Sequence, residues 1–346
     1  MHVGVLTGGG DCPGLNAVMR AVVRKAHRVW GDTVFGFHDG WRGVCDDEWT
    51  ELTIDFMRGT LPRGGTVIGT TRLTPFMLDH GIDRLHETFE RNQIDALVVI
   101  GGEGTLACAD ELHRTHGVPV VGVPKTIDND VGGTEMTFGF DTAVAIATDA
   151  IDRLHTTAES HDRIIVVEVM GRHVGHIATW SGLAGGATMT LIPEEPFDID
   201  EVCRALVKRH LGTKYASIVV VAEGALPVPG TLETVEPEVD AYGHKRLGGI
   251  AYTVAGEIER RTGIETRVTV LGHVQRGGTP TAHDRVLCTR FGIAAIDAVH
   301  DRAYGAMVAL QCGRIVRVPL EEVSGSLKYV DPELREAARA FFPPVD

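Results

Sequence analysis

VPVVGVPKTIDND, residues 118–130, opens with an apolar, β-branched run from Val118 to Val123 and closes with a polar loop. Such a run, with no polar alternation, suits a parallel strand covered on both faces. The loop carries one cation, one hydroxyl and two carboxylates, Lys125, Thr126, Asp128 and Asp130, just past the strand's carboxyl end. Open α/β sheets bind their ligands there. Asp and Asn also build ordinary Asx-turns, so the loop alone is open to both readings.

Two strand, glycine loop and helix units frame this stretch. Residues 2–7, HVGVLT, run into GGGDCPG at 8–14 and then a helical pattern from Leu15 to Val29. Residues Ala96 to Ile100 run into GGEGT at 101–105 and a helix from Leu106 to His116. Residues without Cβ let backbone N–H groups approach oxyanions at a helix's positive end. Neither loop has the Walker lysine spacing or a dinucleotide fingerprint, so a plain tight turn competes with a phosphate site. Between them, LPRGGTVIGTTR at 61–72 sets Arg63 and Arg72 around glycines. Three loops that each follow a strand would share one edge of a parallel sheet.

The remaining chain alternates in the same way. Strands are expected at Arg163–Val169, Met189–Ile192, Ser217–Ala222 and Arg267–Leu271, and near Val308 and Ile315. Helices are expected from Asp141, as N-cap, to Leu154, from an Asp198/Glu201 capping box to His210, through Arg261, from Thr281 to Val299, and from Pro332. His173 and His176 read as helix-start or surface histidines rather than ligands. The Pro-, Gly- and acid-rich segment at 225–246 reads as a surface excursion.

Composition sets the bounds. A chain of 346 residues with 43% hydrophobic and 23% charged residues is an ordinary globular protein, with two domains as the expectation. A formal charge of −14 argues against a nucleic-acid partner or an acidic membrane surface, which need a broad cationic field. Six cysteines without CxxC or paired-His spacing read as free thiols, with no zinc. The start of the sequence enters a strand at once, leaving no room for a signal peptide, and no apolar run reaches the ~18 residues of a membrane span. A cytoplasmic protein is expected.

GGGDCPG at 8–14, GGEGT at 101–105, PKTIDND at 124–130, MGRHVG at 170–175, AEG at 222–224 and LGHVQRGGTP at 271–280 occur in one chain, in that order. Over nearly its whole length this set resembles the 6-phosphofructokinase family, and its actinobacterial branch in particular. The resemblance implies two similar three-layer α/β domains with largely parallel sheets and an active site in the cleft between them. It implies a larger donor-binding domain of residues 1–139 and 275–325, and a smaller fructose 6-phosphate domain of residues 140–274 and 326–346. The implied reaction is magnesium-assisted phosphoryl transfer to the 1-hydroxyl of fructose 6-phosphate. Asp128 matches the general base, and Thr126 and Asp130 match its aligning partners. Gly9 matches a backbone phosphate contact, Arg72 a cation over the transferred group, and Gly104 and Thr105 the donor loop. Glu103 stands where many members have a magnesium-associated aspartate, which keeps the charge and changes the length. Met170, Gly171, Arg172, Glu223, His273 and Arg276 match the sugar-phosphate pocket. Arg163 and Arg267 match residues that reach the 6-phosphate from a neighbouring subunit, so a homotetramer is expected. Arg20 and Arg24 match contacts to an allosteric effector's phosphates, and a solvated helix face is the other reading.

The family divides by donor. Gly104 resembles ATP-using members, whereas pyrophosphate-using members commonly have aspartate there, which repels the nucleotide's α-phosphate. Lys125 resembles the pyrophosphate-using type. Gly104 excludes or admits a donor and Lys125 serves either, so ATP is expected. NAD or lipid kinases share GGEGT-type loops but not MGR or GHxQRGG. A non-catalytic nucleotide and sugar-phosphate sensor is the other rival, against which Asp128 speaks.

Overall fold

The computed structural model describes residues 1–211, 216–233 and 248–342. The chain divides into two compact units, Met1–Thr142 with Arg276–Leu327, and Ala143–Gln275 with the chain from Lys328 onward. The first begins with β1 (His2–Thr7), α1 (Leu15–Lys25), β2 (Thr33–Phe37), α2 (Trp41–Asp46), β3 (Trp49–Glu51), α3 (Gly81–Asn92), β4 (Ala96–Gly101), α4 (Glu103–His116), β5 (Val120–Thr126) and β6 (Phe138–Gly139). Next come α5 (Phe140–His161), β7 (Ile164–Val169), α6 (His176–Ala184), β8 (Met189–Leu191), α7 (Ile199–His210), β9 (Ser217–Ala222), α8 (Ile250–Thr262) and β10 (Thr266–Val270), which, apart from the first turn of α5, build the second unit. The first unit resumes with α9 (Ala282–His300), β11 (Ala306–Gln311), β12 (Arg314–Pro319) and α10 (Leu320–Val323), and α11 (Pro332–Arg339) belongs to the second.

Burial on both faces explains the sheets. β4, ALVVIG, and β9, SIVVVA, are buried at every residue, as parallel strands between helical layers must be. In the first unit the order is β12-β11-β5-β4-β1-β2-β3, with β6 continuing alongside β5. Its centre is parallel, and the edge strands β12 and β3 are antiparallel. Leu97 and Val99 of β4 join a cluster with Trp41 and Val44 of α2, Leu85 of α3, Leu112 of α4 and Leu320 of α10. Alternation leaves Val98 and Ile100 for the other face, where α9 packs. There α1 and α9 touch closely, because a Cβ on Gly292 would stand 2.5 Å from the Val18 carbonyl. The second unit's sheet, β10-β7-β9-β8, is parallel throughout. Val219 and Val221 pack on Val202 and Leu206 of α7 and on Val254 and Ile258 of α8.

Several boundaries differ from the sequence reading for local reasons. β5 runs on through Lys125 and Thr126, because these pair with Phe138 and Gly139 of β6. α4 begins at Glu103, so Glu103, Gly104 and Thr105 form its first turn rather than a preceding loop. α1 stops at Lys25 and passes into a π-helical turn, Ala26–Trp30. α5 begins at Phe140, so Asp141 lies in its first turn rather than at the N-cap, and it accepts the Thr281 hydroxyl at 2.5 Å. Asp198 caps α7 by accepting the Asp200 amide. Of the expected surface excursion at 225–246, the part from 234 onward lies outside the described residues. No helix among the described residues is long and apolar enough to cross a membrane. All six cysteines are free, and only Cys312 is exposed. Burial pushes the Cys12 thiol up to about 12 and those of Cys45 and Cys203 up to about 11.

His176 opens α6 and is buried, with Nε2 2.9 Å from the Lys328 carbonyl, while His173 is exposed. A carbonyl only accepts, so Nε2 donates. Burial lowers the His176 pKa from 6.5 to about 4. A base whose folded pKa is depressed contributes stability that is whole above its unfolded pKa and is lost as pH falls toward the folded value. The window is therefore pH 6.5 to about 4, and the amount is on the order of 3 kcal/mol. His176→Gln, which keeps an N–H donor, is expected to flatten the fall of Tm across that window. A wild-type and variant pair with parallel Tm-versus-pH curves would remove His176 from the account.

Candidate active site

In the first unit β1 lies between β2 and β4, so the chain changes direction across the sheet there, and ligand crevices open at the carboxyl ends of such strands. The loops after β1, β4 and β5 meet at that edge. The Gly8 amide donates to Ile100 and the Gly9 amide to Thr71, both at 2.9 Å. The Gly9 N–H expected for a phosphate is thus held by Thr71, next in sequence to the exposed Arg72. What Gly9 supplies is its left-handed backbone, φ 79°, at a point where a Cβ would stand 3.4 Å from the Lys125 ammonium. Thr105 is buried against Gly8 and Gly101, each of which would collide with it if it carried a Cβ. A Cβ on Gly102 would stand 3.3 Å from the Lys125 carbonyl, so the start of α4 packs on the end of β5.

Lys125 is 3% exposed, and its ammonium donates to the Gly10 carbonyl at 2.6 Å. Burial holds its pKa below the ordinary lysine value. Cys12, Asp130 and Asp128 oppose that shift and Arg276 adds to it. Arg276 donates to the Asp11 carbonyl at 3.2 Å, and Gly10 makes room for the guanidinium. Arg276 therefore joins the glycine loop of the first unit. Beyond Lys125, the Thr126 hydroxyl accepts the Asp128 amide at 3.1 Å. Asp130 Oδ1 is buried without a hydrogen-bond partner, a costly state that a site keeps for a ligand's donor. Glu103 is half-buried on the first turn of α4, and Gly104 beside it is exposed. A Cβ on Gly104 would meet nothing within 4 Å. Among the described residues no three His, Cys, Asp or Glu side chains form a metal cage.

In the second unit β7 is flanked by β9 and β10, and the loops after these three strands carry the other candidates. Gly171 adopts φ 143°, where a Cβ would stand 2.7 Å from the Val174 carbonyl. Its own carbonyl accepts the Gly224 amide at 3.0 Å, and the Glu223 amide donates to Val169 at 2.9 Å. Met170, Gly171 and Arg172 are thereby knitted to Glu223. His273 follows β10 in a 3-10 turn and is exposed. Arg163 and Arg267 are not part of this group. Arg163 precedes β7, and Arg267 is paired with Ile165 near the amino ends of both strands. Both contact the Glu265 carboxylate. The length of β7, about 20 Å, separates them from Met170–Arg172. On α1, Arg20 is half-buried, and burial and then Arg24 lower its pKa.

The residues that hold these loops were not singled out by sequence reasoning. Asn129 sits between the two carboxylates with φ 52° and accepts the Thr137 amide at 2.9 Å. Asn16, fully buried in α1, donates to the carbonyls of Arg63 and Gly64 and accepts the Val67 amide, fixing the loop that leads to Arg72. Gln275, also fully buried, accepts the Met170 amide at 3.3 Å and donates to Gly272 at 3.1 Å, tying the loop after β7 to the loop after β10. The available signal was polarity in an apolar setting, as in Asn16 among the valines and alanines of α1.

A family model described as Phosphofructokinase matches residues 2–299. A Streptomyces coelicolor protein named Pyrophosphate–fructose 6-phosphate 1-phosphotransferase is 57% identical over 342 residues, covering 99% of this chain and 100% of the relative. A Corynebacterium efficiens protein named ATP-dependent 6-phosphofructokinase is 54% identical over 344 residues, covering 99% of each. Pichia pastoris phosphofructokinase in the T-state superposes with TM-score 0.81 at 33% identity over 98% of this chain, which spans 36% of the Pichia chain. The pyrophosphate-dependent phosphofructokinase of Nitrosospira multiformis shares the fold, with TM-score 0.84 at 20% identity, over 99% of this chain and 91% of its own. By that match and those identities, the chain belongs to the phosphofructokinase family and is a phosphofructokinase-type phosphotransferase.

Proposed function

We propose that the chain transfers a phosphoryl group from ATP to the 1-hydroxyl of fructose 6-phosphate, giving fructose 1,6-bisphosphate. Asp128 takes the hydroxyl proton, and the Thr126 hydroxyl, which accepts the Asp128 amide, holds that carboxylate's backbone in place. Asp130 offers its unpartnered buried oxygen to a sugar hydroxyl. Lys125, Arg72 and Arg172 supply cations toward the phosphoryl oxygens, since this chemistry rests on alignment and charge stabilisation. Gly9, in the loop after β1, and Gly104 and Thr105, in the first turn of α4, form the donor site. Glu103 offers the hard oxygen donor that suits Mg²⁺, an ion that takes one or two carboxylates plus substrate phosphates and neutralises phosphate charge when bound. Met170, Gly171, Arg172, Glu223, His273 and Arg276 bind the sugar phosphate. Arg163 and Arg267, at the far ends of their strands, serve the 6-phosphate of a neighbouring protomer in a cytoplasmic homotetramer.

One observation carries the choice of ATP. Gly104 is glycine in a place where the chain itself would accept a side chain, with open space around it and no left-handed backbone. The fold gives no reason for the missing Cβ, and a nucleotide's α-phosphate gives one. A second reading has its own observation. Lys125, buried on the glycine loop, presents a cation that suits pyrophosphate, the donor named for the 57% identical Streptomyces relative. Purified protein with Mg²⁺ and fructose 6-phosphate is expected to turn over ATP, and turnover of pyrophosphate alone would reverse the assignment.

Gly104→Asp is expected to fold normally, because an acid in the first turn of a helix is favourable. It should lower kcat/KM for ATP at least tenfold relative to pyrophosphate. Equal loss with both donors would refute the exclusion argument. Asp128→Ser is expected to lower kcat by roughly 10²–10⁴ while sugar-phosphate KM changes only a few-fold. Parallel changes in both parameters would take the base role from Asp128.

A further inference from the structure

Asp284 is fully buried at the third position of α9, where the side chain of a capping box returns to its own N-cap amide. Its carboxylate serves another helix instead. Oδ1 accepts the Gly139 amide at 3.1 Å, and Oδ2 accepts the Thr142 amide at 2.9 Å and the Thr142 hydroxyl at 2.5 Å, all at the start of α5. The exchange is mutual. The Thr281 amide, at the N-cap of α9, donates to the Thr142 hydroxyl at 3.1 Å, and the Thr281 hydroxyl donates to Asp141 at 2.5 Å. Two helix starts thus cap each other through four side chains.

The crossed cap leads directly to the proposed chemistry. Gly139, held by Asp284, is the strand partner of Thr126, and the Thr137 hydroxyl donates to the Thr126 carbonyl at 2.8 Å. Thr126 in turn accepts the Asp128 amide. On the other side, the chain entering α9 carries Arg276, bonded to the Asp11 carbonyl of the glycine loop. We infer that Asp284, with Thr142 and Thr281, is a positioning residue that sets Thr126 and Asp128 against the glycine loop for phosphoryl transfer. This rests on the phosphofructokinase reading of the same loops.

The test uses the full-length chain in three variants. Thr142→Val keeps shape and removes the shared hydroxyl, Thr142→Ser keeps the hydroxyl, and Asp284→Asn keeps shape and removes the charge. Thr142→Val and Asp284→Asn are expected to lower kcat at least tenfold with sugar-phosphate KM within twofold, and Thr142→Ser to stay within threefold of wild type. Hydrogen exchange separates positioning from general loosening. In Thr142→Val the amides of Asp128 and Thr137 should exchange at least tenfold faster while those of β1 and β4 are unchanged. Wild-type kcat in both loss variants, or faster exchange spread evenly over the first unit, would overturn the positioning role. A wild-type enzyme that turns over fructose 6-phosphate with neither ATP nor pyrophosphate would instead overturn the functional reading beneath it.

Discussion

A buried ammonium is the constraint on which the first unit's edge depends. Taking Lys125 out of water is costly unless acceptors replace its hydration, and the Gly10 carbonyl does so at 2.6 Å, with Asp128 and Asp130 adding to the favourable field. That requirement dictates much of the surroundings. The glycine loop must turn its carbonyl inward, so it uses left-handed backbone at Gly9 and, at Gly10, a residue without the Cβ that the Arg276 guanidinium would meet. The start of α4 must come within contact of β5, and Gly102 allows it. Gly10, which resembles flexible punctuation in the sequence, is thus a position where no side chain fits beside a charge.

Both units anchor their loops from the interior. In the first, a cation does so through the Gly10 carbonyl, and Asn16, Asn129 and Asp284 do so through backbone amides. In the second, buried side chains do so through backbone amides. Gln275 holds Met170, and Glu168, inside the apolar strand β7, accepts the amides of Gly249 and Ala251 at the start of α8. Exposed Arg72 and His273 each stand beside a residue held in this way, Thr71 through the Gly9 amide and Gly272 through the Gln275 side chain.

Local pattern reveals strands, helices and the loops after them, because burial on two faces and helical spacing leave marks within a few residues. VPVVGVPKTIDND showed a strand delivering charge to a sheet edge, and the structure keeps that. It did not show that Lys125 and Thr126 belong to the strand, since their partners Phe138 and Gly139 lie beyond a turn. Positions such as Asn16, Gln275 and Asp284 were opaque for a stronger reason. Asp284 bonds Gly139, 145 residues away, and no window of sequence contains both ends. Glu168 was nearer to legible, because a single carboxylate in IIVVEV must have a partner somewhere, though the sequence does not say where.

The distribution of thiols has a practical corollary. Five cysteines lie in the interior and Cys312 alone faces solvent, in the turn of the β11–β12 hairpin. The thiolate is the reactive form, and burial moves Cys12, Cys45, Cys108, Cys203 and Cys288 away from it. The native protein therefore offers an alkylating reagent one fast site and five slow ones. Modification at the slow sites becomes a clock for transient opening, with Cys12 and Cys288 timing the first unit and Cys203 the second.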